Sequence, residues 1–346
     1  MNVLEAATMI RVGLVGAGHW GPNLIRNLHN RVASEVVWVA DRDARRLEQV
    51  RQRFPDVKLT DDAAVVLGDG RVDAVVIATP TGTHYALTKA ALLAGKHVFV
   101  EKPITADVAQ GEELVELAAR TDRVLLVGHV FLYNGGVRRV KAYLGDDHLG
   151  RVYYVSMVRT NLGPIRVDVN AAWDLASHDI SIANYWLDAT PVTVSAVGGS
   201  WINPGVDDAM FATLRYPGDV LVNLHVSWLN PRKTRDITVV GDRRMLTLDD
   251  MNLQEPIRIY DKGVSEGQPA FVDSFAAFRT GIREGDVVLP KVSLGEPLKA
   301  ECDHFLDCIV KGLKPLTGAA DAVEVVRALS ALQRSAKEDG RSIAVR

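Results

Sequence analysis

The stretch VGLVGAGHWG, residues 12–21, decides the fold of this chain of 346 residues. It joins an apolar run to a helical segment and places Gly16, Gly18 and Gly21 in the pattern G-x-G-x-x-G. Only glycine permits the tight turn and the close approach of the backbone to a pyrophosphate, which then rests on the helix N-terminus. The stretch therefore predicts a dinucleotide-binding βαβ unit, against the alternative of a glycine-rich turn that binds nothing.

Short apolar runs alternate with helical segments up to residue 129. Runs that are apolar throughout suit strands covered on both faces, and their alternation with helices predicts a doubly wound parallel sheet. We expect this α/β Rossmann domain to span residues 1–128. The apolar runs are 10–16, 36–41, 72–80, 97–103 and 123–129, and the helical segments are 21–31, 42–53, 61–67, 84–94 and 107–120.

From residue 129 onward, period-two strands replace this alternation. Val222, Leu224 and Val226 alternate with Asn223 and His225, which is typical of a mostly antiparallel sheet with one apolar face. We expect an α+β domain with a large open sheet over 129–346, whose last helix, about 320–336, is a candidate to pack back on the first domain. A broad apolar sheet face would favour a homodimer or homotetramer. The other predicted elements are strands at 151–162, 192–202, 209–217, 235–241 and 243–250 and helices at 135–144, 172–187 and 295–311.

The composition excludes several classes of function. A net charge of −3 gives no reason to expect a nucleic acid or membrane partner, and no apolar run approaches the roughly 18 residues that span a bilayer. The first residues lack the pattern of a secretory signal. Cys302 and Cys308 are too few for a disulfide framework and fit a reducing cytoplasm. With Asp303 and His304 they have the spacing of one helix, which favours packing over a metal site.

Asp41 follows the second apolar run, twenty residues after Gly21, where a carboxylate accepts hydrogen bonds from a ribose. It would repel the 2′-phosphate of NADP and so favours NAD. Arg42 and Arg45 are the counter-argument, since an arginine can accommodate that phosphate. The predicted cofactor contacts are Gly16, Gly18, His19, Trp20, Gly21, Asp41, Arg42, Thr79, Pro80, Thr81, His84, Glu101, Lys102, Pro103 and His129.

Lys102 lies in Glu101-Lys102-Pro103, where another apolar strand ends. Taking a cation out of water at such a place costs several kcal/mol unless the charge is paired or neutralised. A strand that reaches the nicotinamide would explain the position, because a lysine there can hydrogen-bond a substrate hydroxyl.

Asp174 and His178 are four residues apart and would share one face of a helix. One interpretation is a capping aspartate with a partly buried histidine, and another is a metal pair, although no further ligands stand at metal-site spacing. The third is acid–base chemistry, in which His178 takes a hydroxyl proton and Asp174 orients the substrate or the imidazole. We favour the third because a dinucleotide domain requires a reacting group.

Together these pieces resemble the glucose-fructose oxidoreductase / inositol dehydrogenase (Gfo/Idh/MocA) family over nearly the whole chain. The matching motifs are GAGHWG, the strand end at Asp41, ATPTGTH, EKP and the D-x-x-x-H of WDLASHD. The resemblance implies that Lys102 and His178 form the catalytic pair and that Asp174 binds a substrate hydroxyl. It also implies an often cis peptide before Pro103 and an oligomer formed through the second sheet. Whether Lys102 or His178 is the base stays open.

Longer segments resemble the branch of the family that acts at C3 of nucleotide-linked sugars, giving 3-keto sugars that an aminotransferase converts to amino sugars. These segments include VRTNLGPIRVDVNAAWDLASHDIS and WLNPRKTRDITVVG. Basic residues near the strand ends fit a diphosphate, although most would be solvated charges. They are Arg159, Arg166, Arg232, Lys233 and Arg235, and the predicted substrate contacts are Lys102, Arg159, Asn161, Trp173, Asp174 and His178.

One departure from the family pattern is VNAAW before the D-x-x-x-H, where many relatives carry GGG. It moves the chain away from typical inositol and glucose-fructose enzymes. We therefore expect a cytoplasmic NAD-dependent oxidoreductase that acts on a CH–OH group, transferring hydride between nicotinamide and C3 of a nucleotide-linked hexose for amino-sugar biosynthesis. The alternatives are a dehydrogenase of a free sugar, sugar phosphate or inositol, and an NAD(H)-binding redox sensor.

Overall fold

The computed structural model describes residues 9–167, 169–264 and 282–346. The chain divides into two compact units. The first unit contains residues up to 133 together with 296–326, and the second contains 134–295 and 327–346. Among the described residues, no helix combines the length and apolar character needed to cross a bilayer.

The first unit is built on a sheet of six strands, with every neighbouring pair parallel. The strands are β1 (Ile10–Val15), β2 (Ser34–Ala40), β3 (Lys58–Thr60), β4 (Ala74–Ile77), β5 (His97–Glu101) and β6 (Leu125–Gly128). Their order in the sheet is β3-β2-β1-β4-β5-β6, which is the order of the doubly wound dinucleotide fold. The predicted Rossmann fold is confirmed.

Helices connect these strands. They are α1 (Gly21–Leu28), α2 (Ala44–Arg53), α3 (Ala63–Gly68), α4 (His84–Leu93) and α5 (Val108–Thr121). Asp43, Asp62 and Asp107 precede α2, α3 and α5, and each carboxylate accepts a hydrogen bond from a backbone N–H of the first turn. An aspartate at this position satisfies donors that the helix itself cannot, which explains where these helices begin.

A helix from late in the chain, α8 (Pro297–Lys311), completes the core of the first unit. Phe305 of α8 and Phe99 of β5 are both fully buried, with ring centroids 5.7 Å apart. The expected second domain over 129–346 therefore needs correction, because the apolar stripe of α8 groups residues 296–326 with the first unit. The last helix, α9 (Ala319–Lys337), begins in the first unit and ends in the second.

The second unit carries a sheet of nine strands. Its elements are α6 (Gly135–Gly145), β7 (Val152–Leu162), α7 (Ser177–Leu187), β8 (Thr193–Gly199), β9 (Ala209–Arg215), β10 (Leu221–Ser227), β11 (Leu229–Gly241), β12 (Met245–Asp249), β13 (Ile257–Tyr260), β16 (Val287–Val288) and β17 (Ile343–Ala344). The order is β16-β13-β12-β11-β7-β10-β9-β8-β17, and β14 (Gly263–Val264) pairs with β15 (Ile282–Arg283) separately. Only β7 with β10 is a parallel pair in this sheet as described, so the predicted mostly antiparallel sheet is confirmed.

The alternation in β10 is the predicted one, but its apolar face is not the exposed one. Val222, Leu224 and Val226 are buried inside the second unit. The exposed apolar side chains of this sheet include instead Val197 of β8 and Phe211 of β9. Since exposed apolar patches often mark interfaces, a homo-oligomer through this face stays a proposal.

Candidate active site

The glycine loop follows β1 and leads into α1. Gly16 has a φ of +100°, and a Cβ there would lie 2.5 Å from the carbonyl oxygen of Ala78. A Cβ on Gly21 would lie 2.6 Å from the carbonyl oxygen of Gly16. Side chains at these two positions would push the loop away from its neighbours, so both glycines are required by the turn.

Asp41 comes directly after β2, as expected, and its carboxylate holds the glycine loop. One oxygen accepts a hydrogen bond from the backbone N–H of Ala17 at 2.7 Å, and the other accepts one from the N–H of Asp43 at 2.8 Å. Arg46, which the sequence did not single out, reaches the same carboxylate at 3.4 Å. Arg45 pairs with Asp43 instead. A carboxylate held against this loop fits a ribose-binding role.

The strand ends of the first unit form one row. The parallel register pairs Val15 with Ile77, Ile77 with Val100 and Glu101 with Gly128. The glycine loop, Thr79 and Lys102 therefore all follow neighbouring strands at the carboxyl edge of the sheet. In open α/β sheets this edge is where ligands bind.

His84 is a predicted cofactor contact whose two ring nitrogens both lie beside backbone carbonyl oxygens. Its ring is 1% exposed, with Nδ1 2.8 Å from the Pro103 carbonyl oxygen and Nε2 2.8 Å from the Thr79 carbonyl oxygen. The ring thus joins the strand-end loop after β4 to the loop after β5. This geometry argues for a positioning role and against direct contact of His84 with a cofactor.

Lys102 and Pro103 are linked by a cis peptide bond, as the family resemblance implies. Lys102 is half-buried at the end of β5. Burial raises the pKa of the preceding residue, Glu101, to about 7, although the charge of Lys102 and a backbone hydrogen bond lower it in part. The carboxyl of Glu101 turns toward Gly128, where a Cβ would lie 3.0 Å from its Oε2. Titratable groups with shifted pKa values cluster at functional sites.

His129 follows β6 and is 3% exposed. Neither ring nitrogen has a hydrogen-bond partner among the described residues. Burial, together with the charge of Lys102, lowers the pKa of His129 to about 3, so the ring is neutral at physiological pH. Buried polar groups are normally hydrogen-bonded, and an orphaned imidazole at this edge fits the predicted contact with a polar group of the cofactor.

Glu301 of α8 is a second buried carboxyl, which the sequence did not reveal. It is fully buried, and neither carboxyl oxygen has a partner among the described residues. It lies one turn before Phe305, whose ring contacts Phe99, and Glu101 is two residues beyond Phe99 on the same face of β5. Burial and then the charge of Glu101 raise the pKa of Glu301 well above its ordinary range.

Glu301→Gln is expected to stabilise the protein at alkaline pH and to be neutral at acid pH. The fold keeps Glu301 protonated, whereas the unfolded chain releases this proton above its ordinary pKa of 4.5. The stability of the wild type therefore falls as the pH rises beyond that value. Glutamine has no such proton, so the ratio of the two unfolding constants should change by up to about tenfold per pH unit between the pKa of Glu301 in the unfolded chain and its higher pKa in the folded protein. Urea unfolding at about pH 4, 6 and 8 measures this.

The matched control is Glu113→Gln. Hydrogen bonds from Lys89 and Tyr85 lower the pKa of Glu113, so the ionised form is the stabilising one and the substitution should bring no gain as the pH rises. If the advantage of Glu301→Gln did not grow with pH, the carboxyl of Glu301 would be ionised in the folded protein.

In the second unit, Asp174 and His178 lie at the start of one helical segment. The structure differs from the predicted helix over 172–187, since Ala172–Ala176 forms a π turn and α7 begins only at Ser177. Asp174 is in the π turn and His178 is in the first turn of α7. Single π turns inside helices occur frequently at functional sites. Nothing in the local sequence distinguishes this turn from α-helix.

The carboxylate of Asp174 contacts a buried tryptophan and a partly exposed arginine. Oδ2 accepts a hydrogen bond from the indole Nε1–H of Trp228 at 3.1 Å. Oδ1 lies 3.4 Å from Nη1 of Arg166. The side chain of Asp174 is itself 23% exposed. A carboxylate fixed in this way and still open to solvent can accept a hydrogen bond from a substrate hydroxyl.

The structure argues against a substrate role for Arg159. Its side chain is 6% exposed, and Nε and Nη2 donate to one oxygen of Asp179 at 2.8 and 2.7 Å. The pair joins β7 to α7. Trp173 is also buried, and its indole donates to Gln333 at 3.0 Å, whereas Asn161 is half-buried at the end of β7. The roles of Trp173 and Asn161 stay predictions.

The remaining basic residues have acidic neighbours of their own. Arg235 pairs with Asp250 at 2.9 Å, and Arg232 and Lys233 line a cavity of about 300 Å³ that also contains acidic side chains, including Asp236. Mixed charge makes this cavity a poor site for a diphosphate. Among the five basic residues predicted for the substrate, Arg166 contacts Asp174. Among those residues, no group of three or more His, Cys, Asp or Glu could hold a metal ion.

Two family profiles match this chain. Residues 10–129 match an oxidoreductase family with an NAD-binding Rossmann fold, Gfo/Idh/MocA, and residues 137–247 match a C-terminal domain of the same family. A solved structure of a protein from gentamicin A biosynthesis, in complex with NAD, superposes with a TM-score of 0.81 at 23% identity, covering 99% of this chain and 97% of that one. At this identity the likeness shows the shared fold.

Curated relatives match over most of their length. The UDP-N-acetylglucosamine 3-dehydrogenase of Acidithiobacillus ferrooxidans is 28% identical over 311 residues, which cover 87% of this chain and 88% of the relative. Inositol 2-dehydrogenase 2 of Paenarthrobacter aurescens is 33% identical over 260 residues, covering 70% of this chain and 76% of the relative. Both relatives are dehydrogenases that act on CH–OH groups, and they differ in substrate.

Proposed function

This chain belongs to the Gfo/Idh/MocA family of NAD-dependent oxidoreductases, and we propose that its substrate is a nucleotide-linked hexose that reacts at C3. The cofactor supplies a hydride acceptor or donor when it is bound. The glycine loop and Asp41 would hold its pyrophosphate and ribose. The product of oxidation would be a 3-keto sugar, suited to amino-sugar synthesis.

The observation that carries the proposal is the half-exposed guanidinium of Arg166 beside Asp174. A sugar hydroxyl that reaches Asp174 would bring the group attached to its anomeric carbon to the neighbourhood of this cation. Arginine binds phosphate oxygens through a planar fork of donors, whereas a free polyol offers it no anion. The nearly full-length likeness to a UDP-sugar 3-dehydrogenase supports the same choice.

We propose distinct roles for the three polar residues that the sequence singled out. Asp174 accepts a hydrogen bond from the substrate hydroxyl next to the reacting carbon and so orients the sugar. Lys102 and His178 bind the reacting hydroxyl and receive its proton as hydride leaves the carbon. Positioned proton transfer of this kind contributes about 10²–10⁴-fold to a rate.

A second candidate substrate is inositol, because the relative at 33% identity is an inositol 2-dehydrogenase. An inositol enzyme would use Asp174 in the same way, since a cyclitol also presents neighbouring secondary hydroxyls. An inositol enzyme would not need Arg166 to bind a phosphate. The two candidates therefore differ in whether activity requires a nucleotide.

The test is an assay of NAD⁺ reduction with UDP-N-acetylglucosamine, UDP-glucose, a dTDP-hexose, glucose 6-phosphate, glucose and myo-inositol, followed by NMR of the product. An aminotransferase with glutamate is included to draw off a keto sugar that accumulates poorly. A C3 ketone formed only from nucleotide sugars is the expected result. Turnover of myo-inositol or glucose at a comparable rate would overturn the proposal in favour of the second candidate.

A further inference from the structure

Trp228 and Arg166 both contact the Asp174 carboxylate, and they differ in how easily they can leave it. Trp228 is 1% exposed, and its backbone N–H donates to the carbonyl oxygen of Asp208 at 2.9 Å, so the indole is fixed in the core of the second unit. The side chain of Arg166 is 36% exposed and extends from the segment between β7 and the π turn. Trp228 therefore donates to Oδ2 from a buried position, whereas Arg166 reaches Oδ1 from a partly exposed one and has room to move away.

The strength of the Arg166–Asp174 pair is small because solvent reaches both side chains. Ion pairs of this exposure contribute little to stability. The distance between Arg166 Nη1 and Asp174 Oδ1 is 3.4 Å, which is long for a charge-assisted hydrogen bond. A diphosphate offers the same guanidinium more negative charge and two oxygens for its fork of donors. We therefore expect a diphosphate to displace Asp174 from Arg166.

The closed pair also affects what Asp174 can do. A cation 3.4 Å from Oδ1 weakens this oxygen as an acceptor and occupies one side of it. Oδ2 already accepts from the indole of Trp228. With Arg166 drawn away, Oδ1 would be the better acceptor for a sugar hydroxyl.

We infer that Arg166 is a specificity latch: it covers Asp174 Oδ1 until the diphosphate of a nucleotide-linked substrate draws it away. The inference rests on the proposed function, because it takes Asp174 as the ligand of a substrate hydroxyl. Substrates with a diphosphate open the latch themselves. Substrates without one meet an Asp174 that is still engaged, so the latch discriminates against free sugars and cyclitols.

The test compares the wild type with Arg166→Gln on a nucleotide sugar and on the corresponding free hexose. Loss of the diphosphate contact should lower kcat/KM for the nucleotide sugar by about 10- to 100-fold. Release of Asp174 should raise kcat/KM for the free hexose by up to about fivefold. In the wild type, added UDP should activate turnover of the free hexose, and in Arg166→Gln it should not.

Arg215→Gln is the matched control. Nη1 of Arg215 lies 3.2 Å from Oδ1 of Asp219 in an exposed ion pair of the same unit, so this variant removes a similar pair elsewhere and should change neither substrate's kcat/KM. Thermal unfolding of both variants checks that they fold.

Two outcomes would overturn the latch. If Arg166→Gln lowers kcat/KM for both substrates alike, Arg166 only positions Asp174. If it lowers kcat/KM for the nucleotide sugar without raising it for the free hexose, Arg166 is a phosphate ligand and nothing more. Failure of the proposed function looks different: the wild type itself would then prefer a free hexose or myo-inositol, whatever Arg166→Gln does.

Discussion

Replacing Lys102 with methionine is expected to lower kcat by about 10²–10⁴-fold while leaving the dissociation constant for NAD nearly unchanged. Methionine keeps the length of the side chain and removes the amine that we propose to bind the reacting hydroxyl. The glycine loop and Asp41, which would hold the cofactor, follow β1 and β2, whereas Lys102 follows β5. Steady-state kinetics and titration of protein fluorescence with NADH measure the two quantities.

The control for this variant is Lys89→Met. Lys89 forms an ion pair with Glu113 at 2.6 Å on the surface of the same unit, so its loss should leave kcat unchanged. Lys102→Met should also raise the pKa of Glu101 above about 7, because the charge of Lys102 lowers it. Full turnover by Lys102→Met would remove Lys102 from the mechanism, and a large loss of NAD affinity would move it to cofactor binding.

Replacing His178 with asparagine is expected to lower kcat by a similar factor, about 10²–10⁴-fold, again without loss of NAD binding. Asparagine is smaller than the imidazole and can still hydrogen-bond, but it cannot take up a proton near neutral pH. The position of His178 in the first turn of α7, one turn after Asp174, should be kept. The measurements are kcat, KM and the affinity for NADH.

His225→Asn provides the comparison for His178. His225 stacks on Phe211 with a centroid distance of 4.4 Å, on the exposed side of the sheet, and its substitution should not affect turnover. The double variant Lys102→Met/His178→Asn decides whether the two residues act in one step, since effects of groups that act as a unit are strongly non-additive. If the loss of kcat in the double variant equals the product of the two single losses, the two residues act in separate steps.

Much of the fold followed from local patterns. The uniformly apolar runs predicted β1, β2, β4, β5 and β6 to within a few residues, because a parallel sheet covered on both faces leaves no polar alternation. β3 was not predicted, since it has three residues and half-buried or exposed side chains at the edge of the sheet. Short edge strands depend on pairing with a neighbour and carry little signal of their own.

Some residues of the candidate site could be predicted from the sequence, and others could not. Glycine at 16 and 21, a carboxylate after β2 and a lysine after β5 are recognisable because each has a chemical reason to be one residue type. The roles of Trp228 and Glu301 could not be predicted. In the sequence, Trp228 continues an apolar alternation, and Glu301 is indistinguishable from a surface residue of a helix. Their roles arise from residues far away in the chain: Trp228 donates a hydrogen bond to Asp174, and the charge of Glu101 acts on Glu301.

The sequence by itself therefore determined the dinucleotide fold, the NAD cofactor and the polar residues that can do chemistry, since these depend on backbone conformation and side-chain type. Only the tertiary structure decided which of them are free to act. It placed Arg159 in a buried pair with Asp179, tied His84 to two carbonyl oxygens and set Arg166 beside Asp174. Burial and pairing are properties of neighbours in space, and no local pattern records them.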